Sequence, residues 1–172
     1  SEEEPLWSEV EAEARYNIAR LAHHPSLALY NGCNENIWAY RDWGWGPQVQ
    51  EKSWGKNYYF DLLPRVVKEV DPSSPYWAGS PWSGDFDVDH GVTPNAETHG
   101  NMHIWEIYFR QDYPDYRTIN PRFVSEFGYQ SPATYSSIAG VIKPEDRDFG
   151  SPAMRDRQRH GNAATDDGDR KN

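Results

Sequence analysis

The sequence has a single cysteine, no long apolar stretch and no excess of basic residues. Cys33 alone cannot form an internal disulfide, so a disulfide-stapled scaffold is excluded and the cell compartment stays undetermined. No apolar run approaches the roughly 20 residues that a membrane-spanning helix needs. The formal net charge of −10 argues against a nucleic acid partner, because such binding needs a basic surface. No secretory signal is visible and the first residue is not Met, so we expect a processed or excised piece.

Aromatic residues with a polar atom are abundant. The 172 residues include eight Trp and eleven Tyr against six Phe. Such rings offer a flat apolar face together with a hydrogen-bonding group, which suits carbohydrate and other amphipathic ligands. With 37% hydrophobic residues, the chain is long and apolar enough to bury one core. The composition therefore indicates a globular protein with many aromatic side chains suited to carbohydrate or other amphipathic surfaces.

Apolar strand patterns alternate with helical patterns along the chain. Helical spacing covers 6–21 and 56–70, with a kink or restart expected at Pro64, and starts again at 132–138. Strands are predicted at 26–32, 75–82, 101–105 and 123–126. This alternation predicts βαβ units and a parallel sheet. The polar segment 83–100 is predicted to be a covering loop, and the charged segment 143–172 a loop or a mobile cut end.

Two glutamates, Glu35 and Glu126, stand at the carboxyl ends of predicted strands. A glutamate at the end of an apolar strand is costly to bury unless it is used or satisfied. The two are 91 residues apart, which equals three units of about thirty residues in a βα barrel. The strand ends of a closed barrel face one central pocket. The sequence therefore predicts an α/β chain that forms part of a (β/α)8 barrel, with both carboxylates at its catalytic face.

Paired carboxylates on either side of a glycosidic bond are the machinery of glycoside hydrolysis. One protonates the departing oxygen, while the other attacks the anomeric carbon or activates water. Such a site also needs aromatic platforms and amides, which the loops and strand ends could supply from Asn34, Trp43, Trp45, Trp82 and Trp105. The alternative is that both glutamates are ordinary solvated or salt-bridged acids, and spacing alone leaves that open.

Four ordered motifs resemble the catalytic barrel of glycoside hydrolase family 2, in particular its β-mannosidase branch. The run 24–35 ends in Gly-Cys-Asn-Glu and resembles the acid/base strand of that family, and 123–131 (Phe-Val-Ser-Glu-Phe-Gly-Tyr-Gln-Ser) resembles its nucleophile strand. Between them, Pro75-Tyr76 with Ser80-Pro81 and the run 103–105 (His-Ile-Trp) are similar to the two intervening strands. The resemblance covers residues 6 to 160 and implies strands 4 to 7, the C-terminal half of the barrel.

The resemblance implies a retaining, exo-acting β-mannosidase that hydrolyses terminal β-D-mannosyl residues by double displacement through a covalent glycosyl-enzyme. Glu35 would be the general acid/base, Glu126 the nucleophile, and Asn34 the partner of the sugar's 2-hydroxyl. Two alternatives stay open: another family 2 β-glycosidase (an exo-β-glucosaminidase or a β-glucuronidase), and a non-catalytic carbohydrate-binding fragment. No cofactor or metal is expected, because a retaining glycosidase needs none.

Further candidates for substrate binding are aromatic. Trp43 and Trp105 are predicted walls of the sugar subsite, with core packing as the alternative, and Trp82 is a weaker candidate in a loop. His103 would either bind substrate or support Glu126. The expected partners are a β-mannoside and the remainder of the same enzyme, namely the missing barrel strands and β-sandwich domains. Because half a barrel exposes strand edges, the isolated chain is expected to be inactive.

Overall fold

Helices and short strands alternate along the chain, and the helices are more numerous than the hydrophobic pattern predicts. The computed structural model describes residues 2–49, 53–84, 91–128 and 133–157. Its elements are α1 (Leu6–Leu21), β1 (Tyr30–Asn31), α2 (Asn36–Asp42), α3 (Trp45–Val49), a π-helical turn (Tyr58–Leu62), α4 (Leu63–Val70), β2 (Tyr76–Trp77), β3 (Met102–Ile104), α5 (Glu106–Arg110), a 3₁₀ turn (Tyr113–Thr118), β4 (Val124–Phe127), α6 (Tyr135–Val141), a second 3₁₀ turn (Pro144–Asp146) and α7 (Pro152–Arg157).

The chain divides into two units. The first contains residues up to His103 together with Asn120–Glu126, and the second contains Ile104–Ile119 and the residues from Phe127 onward. None of the described helices is long and apolar enough to cross a membrane.

In the first unit, α1 packs on α4 through the apolar stripe that the sequence predicts. Ile18 is buried against Val66 and Val67. At the edge of this contact, Glu11 accepts hydrogen bonds from Arg15 at 2.7 Å and Arg65 at 2.9 Å. Exposed ion pairs contribute about 0 to 1 kcal/mol each, so burial of the apolar stripe holds the two helices together and the charges fix their register.

The predicted helix 56–70 is divided. A π-helical turn comes first, and α4 begins at Leu63 with Pro64 in its first turn. Proline lacks an N–H but the first turn of a helix needs none, so Pro64 is tolerated there and would not be in a helix interior. The proline therefore marks the point where the α-helix starts.

The sheets are small. β1 and β2 are parallel, with Tyr30 opposite Tyr76, and a bridge between Asn34 and Ser80 continues the pairing toward the strand ends. β3 pairs with β4. β1 is shorter than the predicted strand because the amide of Leu27 donates to the carbonyl of His24 at 3.0 Å, which forms a turn. Mixed helices and strands with parallel pairing confirm the α/β class. The described residues contain two two-stranded sheets and no closed barrel.

A second core lies beneath the carboxyl ends of β1 and β2. Cys33 is buried there with Ile37 and Ala78, and burial raises the pKa of the Cys33 thiol. Tyr76 packs against both cores, and its hydroxyl donates to the carbonyl of Tyr59 at 2.6 Å. Burial also raises the pKa of Tyr76. This core supports the start of α2, the element that directly follows Glu35.

The second unit has an aromatic cluster and short helices. Trp105 packs edge-on against Tyr108 at 5.5 Å between ring centroids. Near the end of α6, Arg147 donates to the carbonyl oxygens of Ala139 at 2.9 Å and Ile142 at 3.0 Å. The guanidinium thereby satisfies carbonyl groups that the end of a helix leaves without partners.

The segment 143–172 contains more structure than the predicted loop. Pro144–Asp146 form a 3₁₀ turn, and Pro152–Arg157 form α7 with Met154 buried. Residues 158–172 lie outside the described residues. The same holds for 85–90, within the predicted covering loop 83–100, whereas 91–100 form turns without a helix or strand.

Candidate active site

The backbone presents Glu35 at an abrupt exit from the paired strands. Its amide donates to the carbonyl of Ser80 at 2.7 Å, and its own carbonyl accepts from Ala39 in the first turn of α2 at 2.7 Å. Both backbone groups are therefore fixed. The backbone of Glu35 is left-handed, with φ at 61°, a conformation that costs a non-glycine residue about 1 to 2 kcal/mol. The strained backbone conformation therefore occurs at Glu35, the residue that is predicted to be the general acid/base.

Glu126 reaches the same place from β4. It is the third of four residues in that strand, so β4 continues one residue beyond the predicted end. β3 lies beside it, and the amide of Met102 donates to the carbonyl of Phe123 at 2.9 Å. Because β3 carries His103, the pairing of β3 with β4 places the imidazole next to the Glu126 carboxylate.

One imidazole nitrogen contacts both glutamates. His103 Nδ1 lies 2.9 Å from Glu35 Oε1 and 3.3 Å from Glu126 Oε2. The His103 side chain is 0% exposed, whereas those of Glu35 and Glu126 are 24% and 34% exposed. The carboxylates therefore reach solvent and the imidazole does not. The other nitrogen, Nε2, lies 2.7 Å from Ser80 Oγ. Since neither ring nitrogen is available to a sugar, the structure favours the supporting role over the substrate-binding role that was also expected for His103.

The two carboxylates are close together. Glu35, His103 and Glu126 each offer one oxygen or nitrogen atom, and these atoms all lie within 4.8 Å of one another. Among the described residues, this is the group whose spacing could also hold a metal ion. The 2.9 Å contact from Nδ1 to Glu35 is of hydrogen-bond length and needs a proton between the two atoms. Glu35 and His103 therefore form a hydrogen-bonded pair, with the Glu126 carboxylate beside it.

A buried polar network lies behind the imidazole. Ser80 Oγ donates to Ser125 Oγ at 2.8 Å, and Asn101 Nδ2 donates to Ser125 Oγ at 3.2 Å. Asn101 Oδ1 in turn accepts from the Trp82 amide at 2.8 Å and from Trp77 Nε1 at 3.1 Å. Satisfied networks of this kind hold their members in one arrangement. The orientation of His103 is therefore set by residues from three segments of the chain, namely 77–82, Asn101 and Ser125.

The backbone of His103 is held as well. The side-chain amide of Asn95 donates from Nδ2 to the His103 carbonyl at 3.0 Å and accepts the His103 N–H on Oδ1 at 2.8 Å. Sequence reasoning missed Asn95, Ser80 and Asn101. Ser80 and Asn101 lie within the predicted strands 75–82 and 101–105, and polar residues in otherwise apolar strands are the signal that could have found them.

Two of the predicted sugar-binding residues are exposed near Glu35. Asn34 is exposed and directly precedes the acid. Trp43 follows α2 and is 43% exposed, with its ring 5.1 Å from Trp38 and edge-on to Trp45 at 5.9 Å. The seven residues of α2 separate Glu35 from Trp43, or about 10 Å at 1.5 Å per residue. Both side chains are therefore available to a ligand.

The other two tryptophans are placed differently. Trp82 packs between Trp77, at 4.7 Å, and Phe60, at 5.5 Å, against the second core. These are the contacts of a packing residue, and a role of Trp82 in substrate binding stays a prediction. Trp105 belongs to the second unit, and its role as a subsite wall stays a prediction.

Known proteins resemble this chain closely. No protein-family model matches it. It is 34% identical over 156 aligned residues to β-mannosidase B of Aspergillus flavus and 35% identical to that of Emericella nidulans, with 82% of this chain and 18% of each relative covered. The crystal structure of a β-D-mannosidase from Dictyoglomus thermophilum is 37% identical with a TM-score of 0.68, covering 83% of this chain and 17% of that one.

The chain thus spans about a fifth of the length of the curated relatives that it matches. Within that span, the relatives bear the name that the motifs of the sequence predict. The resemblance is therefore confirmed: over most of its length, this chain is similar to part of these β-mannosidases.

Proposed function

We propose that this chain carries the two catalytic carboxylates of a retaining, exo-acting β-mannosidase. The observation that carries the proposal is the pairing of Glu35 and Glu126 across His103, with carboxylate oxygens within 4.8 Å of each other. Retaining enzymes hold their carboxyl groups about 5 to 5.5 Å apart, whereas inverting enzymes need about 6.5 to 9.5 Å to admit a water molecule. The short separation supports retention.

In this mechanism Glu126 attacks the anomeric carbon while Glu35 protonates the departing oxygen. The glycosidic C–O bond breaks, and a covalent glycosyl-Glu126 ester forms. Water then attacks the same carbon, Glu35 removes its proton, and the ester bond breaks. The solvent exposure of both carboxylates fits these roles, because each must reach the sugar. Exposed Asn34 would hydrogen-bond the 2-hydroxyl, and exposed Trp43 would offer a flat surface to the substrate.

We further infer that the paired strands belong to a (β/α)8 barrel, as its strands 4 to 7, and that a longer polypeptide supplies the rest. Two observations support this. Most of each relative lies beyond the matched span, and an apolar cavity of about 190 Å³ lies beside the half-exposed Phe123 and the ring of Trp77. The 172-residue chain on its own is expected to lack turnover, because a barrel needs all eight strands to close.

The test is hydrolysis of 4-nitrophenyl β-glycosides by the polypeptide that carries this segment. The panel contains the mannoside, glucosaminide, glucuronide, glucoside and galactoside, and Glu126→Gln is the control. The proposal predicts cleavage of the mannoside with a β-configured first product, and loss of activity in the variant. Preference for the glucosaminide or glucuronide would favour the other family 2 activities. An α-configured first product would overturn retention, and absence of cleavage would favour a carbohydrate-binding role.

A further inference from the structure

We propose that the proton used in catalysis is shared between Glu35 Oε1 and His103 Nδ1, and that the Ser80–Ser125 pair fixes the ring so that Nε2 always carries a proton. The inference rests on the proposed retaining mechanism and assigns His103 a positioning role in it. It follows from the direction of each hydrogen bond behind the imidazole, traced inward from groups that can only donate or only accept.

The first fixed point is Asn101. The backbone N–H of Trp82 and the indole N–H of Trp77 can only donate, and both are directed at the same atom of Asn101. That atom must be the carbonyl oxygen, Oδ1. The other end of the amide is therefore the NH₂ group, and it donates to Ser125 Oγ at 3.2 Å. One acceptor position of the Ser125 hydroxyl is thus occupied.

The second fixed point is the carbonyl of Met102. A carbonyl can only accept, and Ser125 Oγ lies 3.5 Å from it with the geometry of a weak hydrogen bond. Ser125 therefore directs its single proton at Met102 and accepts the proton of Ser80 at 2.8 Å. Because a serine has only one proton, Ser80 cannot also donate to His103. At the 2.7 Å contact, Nε2 must then be the donor and Ser80 Oγ the acceptor.

A proton on Nε2 determines what happens on the other side of the ring. Nδ1 lies 2.9 Å from Glu35 Oε1, a distance at which two lone pairs repel unless a proton lies between them. That proton belongs either to a protonated Glu35 or to a positively charged imidazole. In both cases, one proton lies between Glu35 Oε1 and His103 Nδ1. Glu126 Oε2, 3.3 Å from the same nitrogen, lies next to this pair.

In the reaction, the proton held between Glu35 and His103 is given to the departing oxygen and is later replaced by a proton from water. In the first step it passes to the departing oxygen as the glycosidic bond breaks and Glu126 bonds the sugar. Glu35 and Nδ1 then face each other with lone pairs, and the serine pair cannot supply a proton because its hydroxyls point away from the ring. The incoming water molecule relieves this arrangement by giving its proton to Glu35 while its oxygen bonds the anomeric carbon. His103 thereby favours the return of Glu35 to its acid form after each turnover.

The first experiment reads the proton directly. Two-bond ¹H–¹⁵N correlation spectra are recorded on the polypeptide that carries this segment, labelled with ¹⁵N-histidine, and His103→Gln identifies the His103 signals. The inference predicts that Nε2 is protonated. A neutral ring with the proton on Nδ1 and none on Nε2 would overturn it. This readout does not depend on activity, so it judges the inference even if the proposed function fails.

The second experiment asks whether His103 acts through the acid. His103→Gln removes the group at the Nδ1 position, so we expect at least about a 100-fold loss of kcat/KM on β-mannobiose, within the range that a general acid contributes. Little loss is expected on 2,4-dinitrophenyl β-mannoside, whose leaving group needs no proton. His103→Asn, which keeps a polar atom near the Nδ1 position, should retain more activity than His103→Gln.

The controls separate the two proposals. Glu35→Ala should give the same dependence on the leaving group, whereas Glu126→Gln should lose activity on every substrate. An equal loss on both substrates in His103→Gln, with an active wild type, would overturn the role of His103 and leave the retaining mechanism intact. A wild type that cleaves neither mannoside would refute the proposed function, and the spectra would then decide the inference alone.

Discussion

Asn95 holds His103 as a neighbouring strand would, through one hydrogen bond in each direction between its side-chain amide and the His103 backbone. His103 is buried, so loss of both bonds leaves a buried N–H and a buried carbonyl without partners. Such a loss costs about 1 to 3 kcal/mol for each group. A residue in a segment of turns therefore makes hydrogen bonds to β3 that a neighbouring strand would otherwise make.

The first prediction is that Asn95→Ala lowers the free energy of unfolding by at least about 1 kcal/mol. Urea denaturation measures it. Asn31→Ala removes the same side chain from an exposed position in β1 and should change stability by less than about 0.5 kcal/mol. Equal effects of the two substitutions would show that the Asn95 amide does not support His103.

The second prediction concerns Gly100, which has a φ of 55° and no room for a side chain. A Cβ there would collide with the backbone carbonyl oxygen of Trp82. Gly100→Ala should therefore destabilise the fold by more than about 2 kcal/mol and disturb Asn101, which follows it. Gly140, in α6, has no atom within 4 Å of its Cβ position. Gly140→Ala should stabilise by about 0.5 to 1 kcal/mol. Thermal unfolding of both variants tests the pair, and the prediction fails if the signs agree.

The third prediction is a loss of stability in acid. Hydrogen bonds from Arg65 and Arg15 lower the pKa of Glu11 to about 2, and hydrogen bonds from Ser73 and Ser74 lower that of Asp71 to about 2. A carboxyl group whose pKa is lower in the folded state stabilises the fold above its unfolded value of about 4, and this contribution is lost as the pH falls toward 2. Urea midpoints between pH 6 and pH 2 should therefore fall.

The matched variant for this loss is Asp71→Asn, which keeps the shape of the side chain and removes its titration. Its urea midpoint should start lower at pH 6 and decline less toward pH 2 than that of the wild type. Parallel curves for the two proteins would contradict a role for Asp71.

The fourth prediction separates binding from folding at Trp43. If its exposed ring stacks on substrate, Trp43→Ala removes about 1.5 kcal/mol of binding, which corresponds to roughly a tenfold rise in KM. Thermal stability should change little, because the ring is 43% exposed. Tyr16→Ala, on the exposed side of α1, is the control and should leave KM unchanged. An unchanged KM in Trp43→Ala would remove that residue from the sugar site.

The strand ends were predictable, and the network behind them was not. Glu35 and Glu126 could be placed near strand ends because each follows an apolar run bounded by glycine or proline, a local signal. Ser80 and Ser125 meet across 45 residues of sequence, and no local pattern specifies which polar side chains will face each other after folding. His103 illustrates the contrast: its strand could be predicted from the sequence, but its burial beside two carboxylates could not.

Strand length was over-predicted for a related reason. The apolar residues 27–29 favour an extended chain, but a strand forms only where a neighbouring strand pairs with it. A turn from His24 to Leu27 occupies the stretch before β1. The division of 56–70 at Pro64 was foreseeable because proline has a fixed place in a helix. The π-helical turn before it was not, since it depends on how Tyr58 and Leu62 pack.

The left-handed backbone of Glu35 bears on how sequences of this kind drift. Glycine and asparagine adopt that conformation with less strain than glutamate does. If Glu35 has the proposed catalytic role, a duplicated gene released from selection for that role would therefore gain stability by replacing this residue. At position 35, folding and chemistry favour different amino acids, so the residue found there in a descendant would report which of the two it had been selected for.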